Sequence, residues 1–260
     1  MKFFDTHCHI HSSDYGLDPD GVILSAVQAG VDRLLCVGTD LEDSQRAVEF
    51  VSSRENCWAT IGLHPHEGVR YVSEKSARRT FTELASKPKI VAIGETGLDY
   101  HYNHSSKADQ QKILRFQLEL ALEHDLPLIF HVREAFDDFW PIFDDYRHVR
   151  GVVHSFSAAP RELDAVMSRG LYVGLNGIMT FTKQPEQIEA AKLIPLQKLL
   201  LETDAPYLTP VPFRGTICRP EHVRVTAEFL ADVRGESLTH LASATTRNAA
   251  SLFCLSIDEN

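Results

Sequence analysis

The sequence has no C-x-x-C pair, no G-x-G-x-x-G, no P-loop and no apolar run long enough to cross a bilayer. These absences exclude a zinc ribbon or thioredoxin motif, a dinucleotide fingerprint, a phosphate-cradling loop and a transmembrane helix. Cysteines number only five (Cys8, Cys36, Cys57, Cys218, Cys254), odd and scattered, so a disulfide framework is not expected and free thiols fit a reducing compartment. Basic residues are the scarcer charge, 26 Lys and Arg against 36 Asp and Glu, for a formal net charge of −10. That balance excludes a surface built wholly as a nucleic-acid footprint but leaves room for a local cationic site. Met1-Lys2-Phe3-Phe4 runs straight into Asp5 with no signal-peptide pattern, so a soluble cytoplasmic protein with no membrane association is expected. Low-complexity tracts and interdomain linkers are also lacking, and residues 1–260 read as a single domain.

What is present is a globular composition, 43% hydrophobic and 24% charged over 260 residues, enough for a sizeable core without staples. Eight short runs have strand character: 3–7, 33–38, 57–63, 89–94, 127–131, 150–154, 171–175 and 198–202. Most are near-continuous apolar rather than alternating, as parallel strands covered on both faces are. Amphipathic segments such as 41–52 and 109–124 lie between them; in the second, Ile113, Phe116, Gln117, Leu120, Ala121 and Glu123 give the mixed faces of a surface helix. Eight strand–helix units in this length predict one α/β domain, a (β/α)8 TIM barrel. A helical stretch over about 220–254 is expected to close the last unit.

Thirteen histidines are available, and the informative ones stand at strand ends. Strand one ends in Asp5-Thr6-His7-Cys8-His9, strand three in His64, strand four in Glu95, strand five in His131, strand six in His154 and strand eight in Asp204. The carboxyl ends of barrel strands form the face that carries the chemistry. His7 and His9 are two apart on a strand, so both imidazoles point the same way. His7, His9, His131 and His154 with Glu95 and Asp204, four imidazoles and two carboxylates, exceed the needs of one tetrahedral zinc and suffice for a two-metal centre bridged by a carboxylate.

Those residues carry a resemblance. Asp5-Thr6-His7-Cys8-His9, Gly62-Leu63-His64-Pro65-His66, Gly94-Glu95-Thr96-Gly97-Leu98-Asp99-Tyr100, His154-Ser155-Phe156-Ser157 and Glu202-Thr203-Asp204-Ala205-Pro206-Tyr207-Leu208 resemble, in order, the signatures of the TatD-like DNase family, a branch of the amidohydrolase superfamily. The resemblance spans essentially the whole chain. It implies a (β/α)8 barrel that uses two divalent metals, of the set Zn, Mg, Mn or Ni, to hydrolyse phosphodiester bonds. Carried over by position, it implies that His7, His9 and Asp204 hold one metal, His131 and His154 the other, and that Glu95 bridges them. Asp204 then also takes the proton of the attacking water.

Other residues are read as substrate contacts or supports. Arg133 lies two beyond His131 and is placed to grip a phosphate. His64 and His66 straddle Pro65 at the end of strand three and are read as substrate contacts or supporting groups, His66 alternatively as a loop cap; Asp99 and Tyr100 either support Glu95 or contact substrate, and Arg214 is read as a substrate contact. Asp5 is expected to fix an imidazole tautomer through a hydrogen bond. His101, His104, His124, His148, His222 and His240 are expected to be solvated. The Pro-rich segment 205–222 departs from the family pattern at Thr216-Ile217-Cys218-Arg219, as does His11 where the family favours aspartate. Neither departure touches a ligand, and the loop can read groups beyond the scissile phosphate.

The leading expectation is a divalent-metal-dependent deoxyribonuclease acting on DNA ends, 3′-5′ exonuclease-like, with single-stranded ends favoured because the protein is acidic. A second reading is a bimetal hydrolase of carbonyl substrates: esters, lactones, amides or misacylated tRNA. A third is a binding barrel with a vestigial site, disfavoured by the intact ligand set. No obligate protein partner is implied.

Overall fold

The computed structural model of the chain describes residues 1–102 and 104–256. Eight strands form one sheet in chain order: β1 (Phe3–Cys8), β2 (Val31–Val37), β3 (Cys57–Ile61), β4 (Ile90–Asp99), β5 (Leu128–Arg133), β6 (Gly151–Val153), β7 (Tyr172–Leu175) and β8 (Leu199–Leu201). Helices connect them: α1 (Pro19–Gln28), α2 (Leu41–Ser52), α3 (Gly68–Tyr71), α4 (Lys75–Ala85) and α5 (Lys107–Glu123). Then come α6 (Phe136–Asp144), α7 (Pro160–Ser168), α8 (Pro185–Leu193), α9 (Val223–Arg234) and α10 (Leu238–Leu252). The alternation is that of the (β/α)8 barrel class. Among the described residues no helix is long and apolar enough to cross a membrane.

Contacts divide the chain into two compact units, Met1–Cys36 with the chain from Ser155 onward, and Val37–His154. In the first unit β1 pairs in parallel with β2, and β7 with β8. The core holds Phe3, Ile10, Leu34, Leu35, Val173 and Leu199. The chain just past β8 returns to β1 through a parallel bridge between Cys8 and Ala205, and Thr6 Oγ1 donates to Leu201 O at 2.9 Å. The helical stretch expected over 220–254 is two helices: Gly235, at φ 66°, ends α9, and Ser237 accepts from His240 N to cap α10. Asn248 Nδ2 then donates to Leu196 O (2.7 Å) and Leu199 O (2.9 Å), seating α10 on the start of β8.

In the second unit β3–β4, β4–β5 and β5–β6 are parallel pairs, and Phe130 packs edge-on against Phe139 of α6 at 5.1 Å. The strand bounds follow the apolar runs except at β4, expected to stop at Gly94 but continuing to Asp99. Thr96–Asp99 pair with Phe130–Arg133 after a register shift. Gly97, at φ 147°, makes this approach possible, since a Cβ there would collide with the carbonyl of His131.

The reading of α5 as a surface helix is corrected at one face. Gln110 and Gln117, seven residues apart, are fully buried. Gln117 Oε1 accepts from Leu63 N (2.7 Å), and its Nε2 donates to Leu63 O (3.0 Å) and Thr96 Oγ1 (2.6 Å). Gln110 Oε1 accepts from Asp99 N (2.8 Å), and its Nε2 donates to Asp99 O (2.9 Å). A primary amide matches a peptide's donor and acceptor together, which is why it replaces an apolar residue where strand ends lack partners.

Candidate metal centre

In the first unit the chain past β8 runs beside the end of β1. Asp204 N donates to His7 O at 2.8 Å and His9 N to Ala205 O at 2.7 Å. Alternation along β1 sends Cys8 away from its neighbours, its thiol directed at Leu35 O (3.4 Å), and leaves His7 and His9 on one face. Their Nε2 atoms lie 3.2 Å apart, with Asp204 Oδ1 3.5 Å from the first and 3.3 Å from the second. Asp204 sits in the left-handed region at φ 63°, a conformation aspartate tolerates better than most residues.

Asp5 is fully buried, and its partners differ from the expected imidazole. Its oxygens accept from Thr203 Oγ1 (2.6 Å), Thr203 N (2.9 Å) and His7 N (3.3 Å). It therefore acts on the backbone, tying β1 to the turn that presents Asp204. Burial pushes its carboxyl up to about 8 against the pull of those hydrogen bonds. Glu202, which the sequence does not single out as a ligand, is a further candidate: one of its carboxylate oxygens lies within 4.8 Å of a ring nitrogen of His7. Buried in the same unit, it accepts from Ser155 N at 2.6 Å, and Gly174 leaves space for it, since a Cβ there would strike its carboxylate. The signal was an acidic residue at the end of an apolar strand.

In the second unit one carboxylate oxygen gathers three imidazoles. Glu95 Oε1 lies 2.8 Å from His131 Nδ1, 3.0 Å from His154 Nε2 and 3.6 Å from His64 Nε2. Ligand-type atoms of His64, Glu95 and His131 all fall within 4.8 Å of one another. The tautomer of His64 sets it apart. Burial holds it neutral, its pKa well below the usual range, and its Nδ1 accepts from His66 N at 3.2 Å. Its proton is then on Nε2, so it faces the carboxylate as a donor and not as a ligand.

Asp99 supports this group. Its Oδ2 lies 3.1 Å from His131 Nε2 and 3.1 Å from His66 Nε2, while its Oδ1 accepts from His101 N and Tyr102 N, both at 3.0 Å. Burial raises its pKa, but these donors prevail and hold the carboxyl below the usual range. Burial likewise lowers the pKa of His131, and the hydrogen bonds to Asp99 and Glu95 turn the net shift upward. A carboxylate on the far nitrogen of an imidazole is how metal-binding histidines are oriented.

The residues read as substrate contacts have different surroundings. Tyr100 is tied to the helices: its hydroxyl donates to Asp138 Oδ2 (2.8 Å) and accepts from Gln111 Nε2 (3.1 Å), with its pKa raised to about 12 by burial. Arg214 lies over the Phe181 ring at 4.0 Å and donates to Thr209 O at 2.8 Å, which braces its own loop. Arg133 is exposed and stands 4.7 Å from the Tyr102 ring centroid. His222, expected in solvent, is buried, stacked on Phe213 at 4.9 Å and accepting from Arg219 N at 3.2 Å. His101, His104, His148 and His240 are exposed, and His124 is half-buried.

The donor chemistry fits divalent cations. Each unit holds imidazoles converging with a carboxylate within 3.6 Å, on strands or within three residues past their ends.

Comparison with known proteins agrees with this chemistry. Residues 4–254 match the family described as TatD related DNase. A protein of Bacillus subtilis named as an uncharacterized metal-dependent hydrolase, YabD, is 37% identical over 252 residues, covering 96% of this chain and 98% of its own. The Escherichia coli K12 protein named 3′-5′ ssDNA/RNA exonuclease TatD is 34% identical over 258 residues, covering 96% and 98%. The crystal structure of YjjV, a TatD homolog from E. coli K12, superposes with a TM-score of 0.91 at 29% identity, covering 98% of each chain.

Proposed function

The chain belongs to the TatD-related DNase family and is a metal-dependent hydrolase, and from that premise we propose that it removes nucleotides from the 3′ ends of single-stranded DNA with the help of two divalent cations. Relatives named as 3′-5′ ssDNA/RNA exonucleases at about this identity support the substrate class. The observation that carries the reading is the pair of donor sets: His7 and His9 within 3.5 Å of Asp204 Oδ1, and His131 and His154 within 3.0 Å of one oxygen of Glu95. His7, His9 and Asp204 would hold one cation, His131 and His154 the other, with Glu95 shared. We read residues 1–260 as one hydrolase domain, supported by the family match over 4–254.

Bound cations supply Lewis-acid polarisation of the phosphate and lower the pKa of water. The protein's own groups do the rest. Asp204, the more exposed carboxylate of the donor sets, accepts the proton as water oxygen bonds to phosphorus and the P–O3′ bond breaks, the departing O3′ taking up a proton from solvent. His64, protonated on Nε2, donates to a phosphate oxygen. Arg133 supplies a fixed positive charge toward the strand backbone. His66 and Asp99 hold the imidazoles rather than meet the substrate. The free thiols among the described residues, four of them buried, suit a cytoplasmic setting.

The test is turnover of a 3′-ended single-stranded oligonucleotide by protein loaded with Mn²⁺, Mg²⁺ or Zn²⁺, with and without chelator. Loss of cleavage in the chelated enzyme and in Asp204→Asn is the expected result. Cleavage that survives both overturns the reading. Turnover of lactones or esters without any of DNA would reassign the same donors to carbonyl chemistry.

A further inference from the structure

Just beyond β4 the second unit presents a cluster of aromatic and cationic groups that the metal chemistry does not use. We infer that Tyr102, with His104 and Arg133, forms a stacking platform for a nucleobase next to the scissile phosphate; the inference rests on the nuclease reading above and names how that site would hold its strand.

Tyr102 is 46% exposed, unusual for a ring so firmly placed. Its backbone N–H and that of His101 are both held by Asp99 Oδ1 at 3.0 Å. The other oxygen of the same carboxylate is bound to His131 and His66. The carboxylate that orients a metal-type imidazole therefore also fixes the turn that displays Tyr102. Rings run outward in contact from that centre: His131 to His64 at 4.6 Å, His64 to His66 at 4.2 Å, then His66 to His104 at 4.5 Å and to Tyr102 at 5.8 Å. His104 lies nearly parallel to Tyr102, 26° between planes at 6.0 Å.

Arg133 completes the cluster. Its guanidinium stands 4.7 Å over the tyrosine ring, and among the described residues no carboxylate pairs with it. His101 beside it is different, being bound to Glu134 at 2.8 Å. A pre-organised exposed ring, a parallel imidazole and an unneutralised planar cation suit a flat π-system that carries an anion, which is the chemistry of a nucleotide. Stacking of this kind has no base preference, because every base offers a π-face.

The experiment pairs substrate and protein changes. Single-stranded oligonucleotides with an abasic site on either side of the scissile bond are compared with the intact strand, in wild type, Tyr102→Ala and Tyr102→Trp. In wild type, removing the stacked base is expected to lower kcat/KM by roughly 5- to 150-fold, mainly through KM. In Tyr102→Ala that penalty should shrink toward onefold, and Tyr102→Trp should restore it. A direct reading uses the same strands carrying 2-aminopurine, titrated into protein with Ca²⁺ present. Emission should quench on binding to wild type and to Tyr102→Trp but not to Tyr102→Ala. Equal abasic penalties in wild type and Tyr102→Ala, with equal quenching, overturn the platform while leaving the nuclease intact. Quenching that depends on Tyr102 without any cleavage overturns the nuclease reading and keeps the subsite.

Discussion

Asp204 combines two demands in one residue. Its carboxylate faces His7 and His9, and its backbone occupies φ 63°, where most side chains cost about 1–2 kcal/mol. Asparagine tolerates that conformation and alanine does not, so the two substitutions separate chemistry from folding. Asp204→Asn is expected to lower kcat by about 10²- to 10⁴-fold, the usual worth of a general base, with an unchanged unfolding midpoint in metal-free buffer. Asp204→Ala should match that loss and also destabilise the protein by about 1 kcal/mol. Thr203 gives a second case. Its hydroxyl donates to Asp5 (2.6 Å) and accepts from Ala205 N (3.1 Å), so Thr203→Val leaves a buried carboxyl short of a donor. A cost of about 1–3 kcal/mol is expected, read by urea unfolding; an unchanged midpoint would mean Asp5 does not depend on that bond.

At the scale of elements, α5 is the piece that sets strand-end geometry. Gln117 grips Leu63, the residue before His64, and Thr96, the residue after Glu95. Gln117→Leu keeps the volume but strands the Leu63 amide and carbonyl, and should cost about 1–3 kcal/mol for each orphaned buried group. Activity should fall with it, because two functional strand ends lose their shared anchor. If urea unfolding and kcat both match wild type, the clamp is incidental. The same helix shows why some of the structure could be read from sequence and some could not. Strands β5, β7 and β8 are legible because parallel strands bury both faces and become largely apolar, and β1 and β2 because apolar residues dominate one end of each. The candidate ligands His7, His9, Glu95, His131, His154 and Asp204 are legible as candidates because each stands at or just past the end of a run with strand character. The end of β4 was hidden, because Gly94, Gly97 and Asp99 resemble a turn and only the partner strand β5 makes them extended. Gln110 and Gln117 were hidden because polarity in a helix suggests solvent, and nothing local reveals the backbone groups waiting opposite. Tyr102 and His104 lie in a loop without periodicity, so only their neighbours disclose a role.

For the whole molecule the governing quantity is a net charge of −10. An enzyme that tracks long nucleic acid electrostatically neutralises many phosphates, and the logarithm of its affinity then falls steeply with the logarithm of salt. An excess of acidic side chains disfavours such a track, so on the proposed reading the grip on a strand is local: cations held by the donor sets, the guanidinium of Arg133, which no carboxylate pairs among the described residues, and stacking that releases no counterions. For a single strand each neutralised phosphate contributes about −0.7 to the log–log slope. Two or three contacts therefore give a slope of about −1.4 to −2.1 in kcat/KM for a short oligonucleotide between low and moderate salt. Arg133→Ala should reduce that slope by about 0.7 because it removes one contact, whereas Tyr102→Ala should lower the rate with the slope unchanged because stacking is not ionic. A slope steeper than about −4 would reveal an extended basic path and contradict the local grip. The same balance of charge favours ends over interiors, so rates on intact plasmid should fall far below those on frayed or single-stranded ends at equal nucleotide concentration.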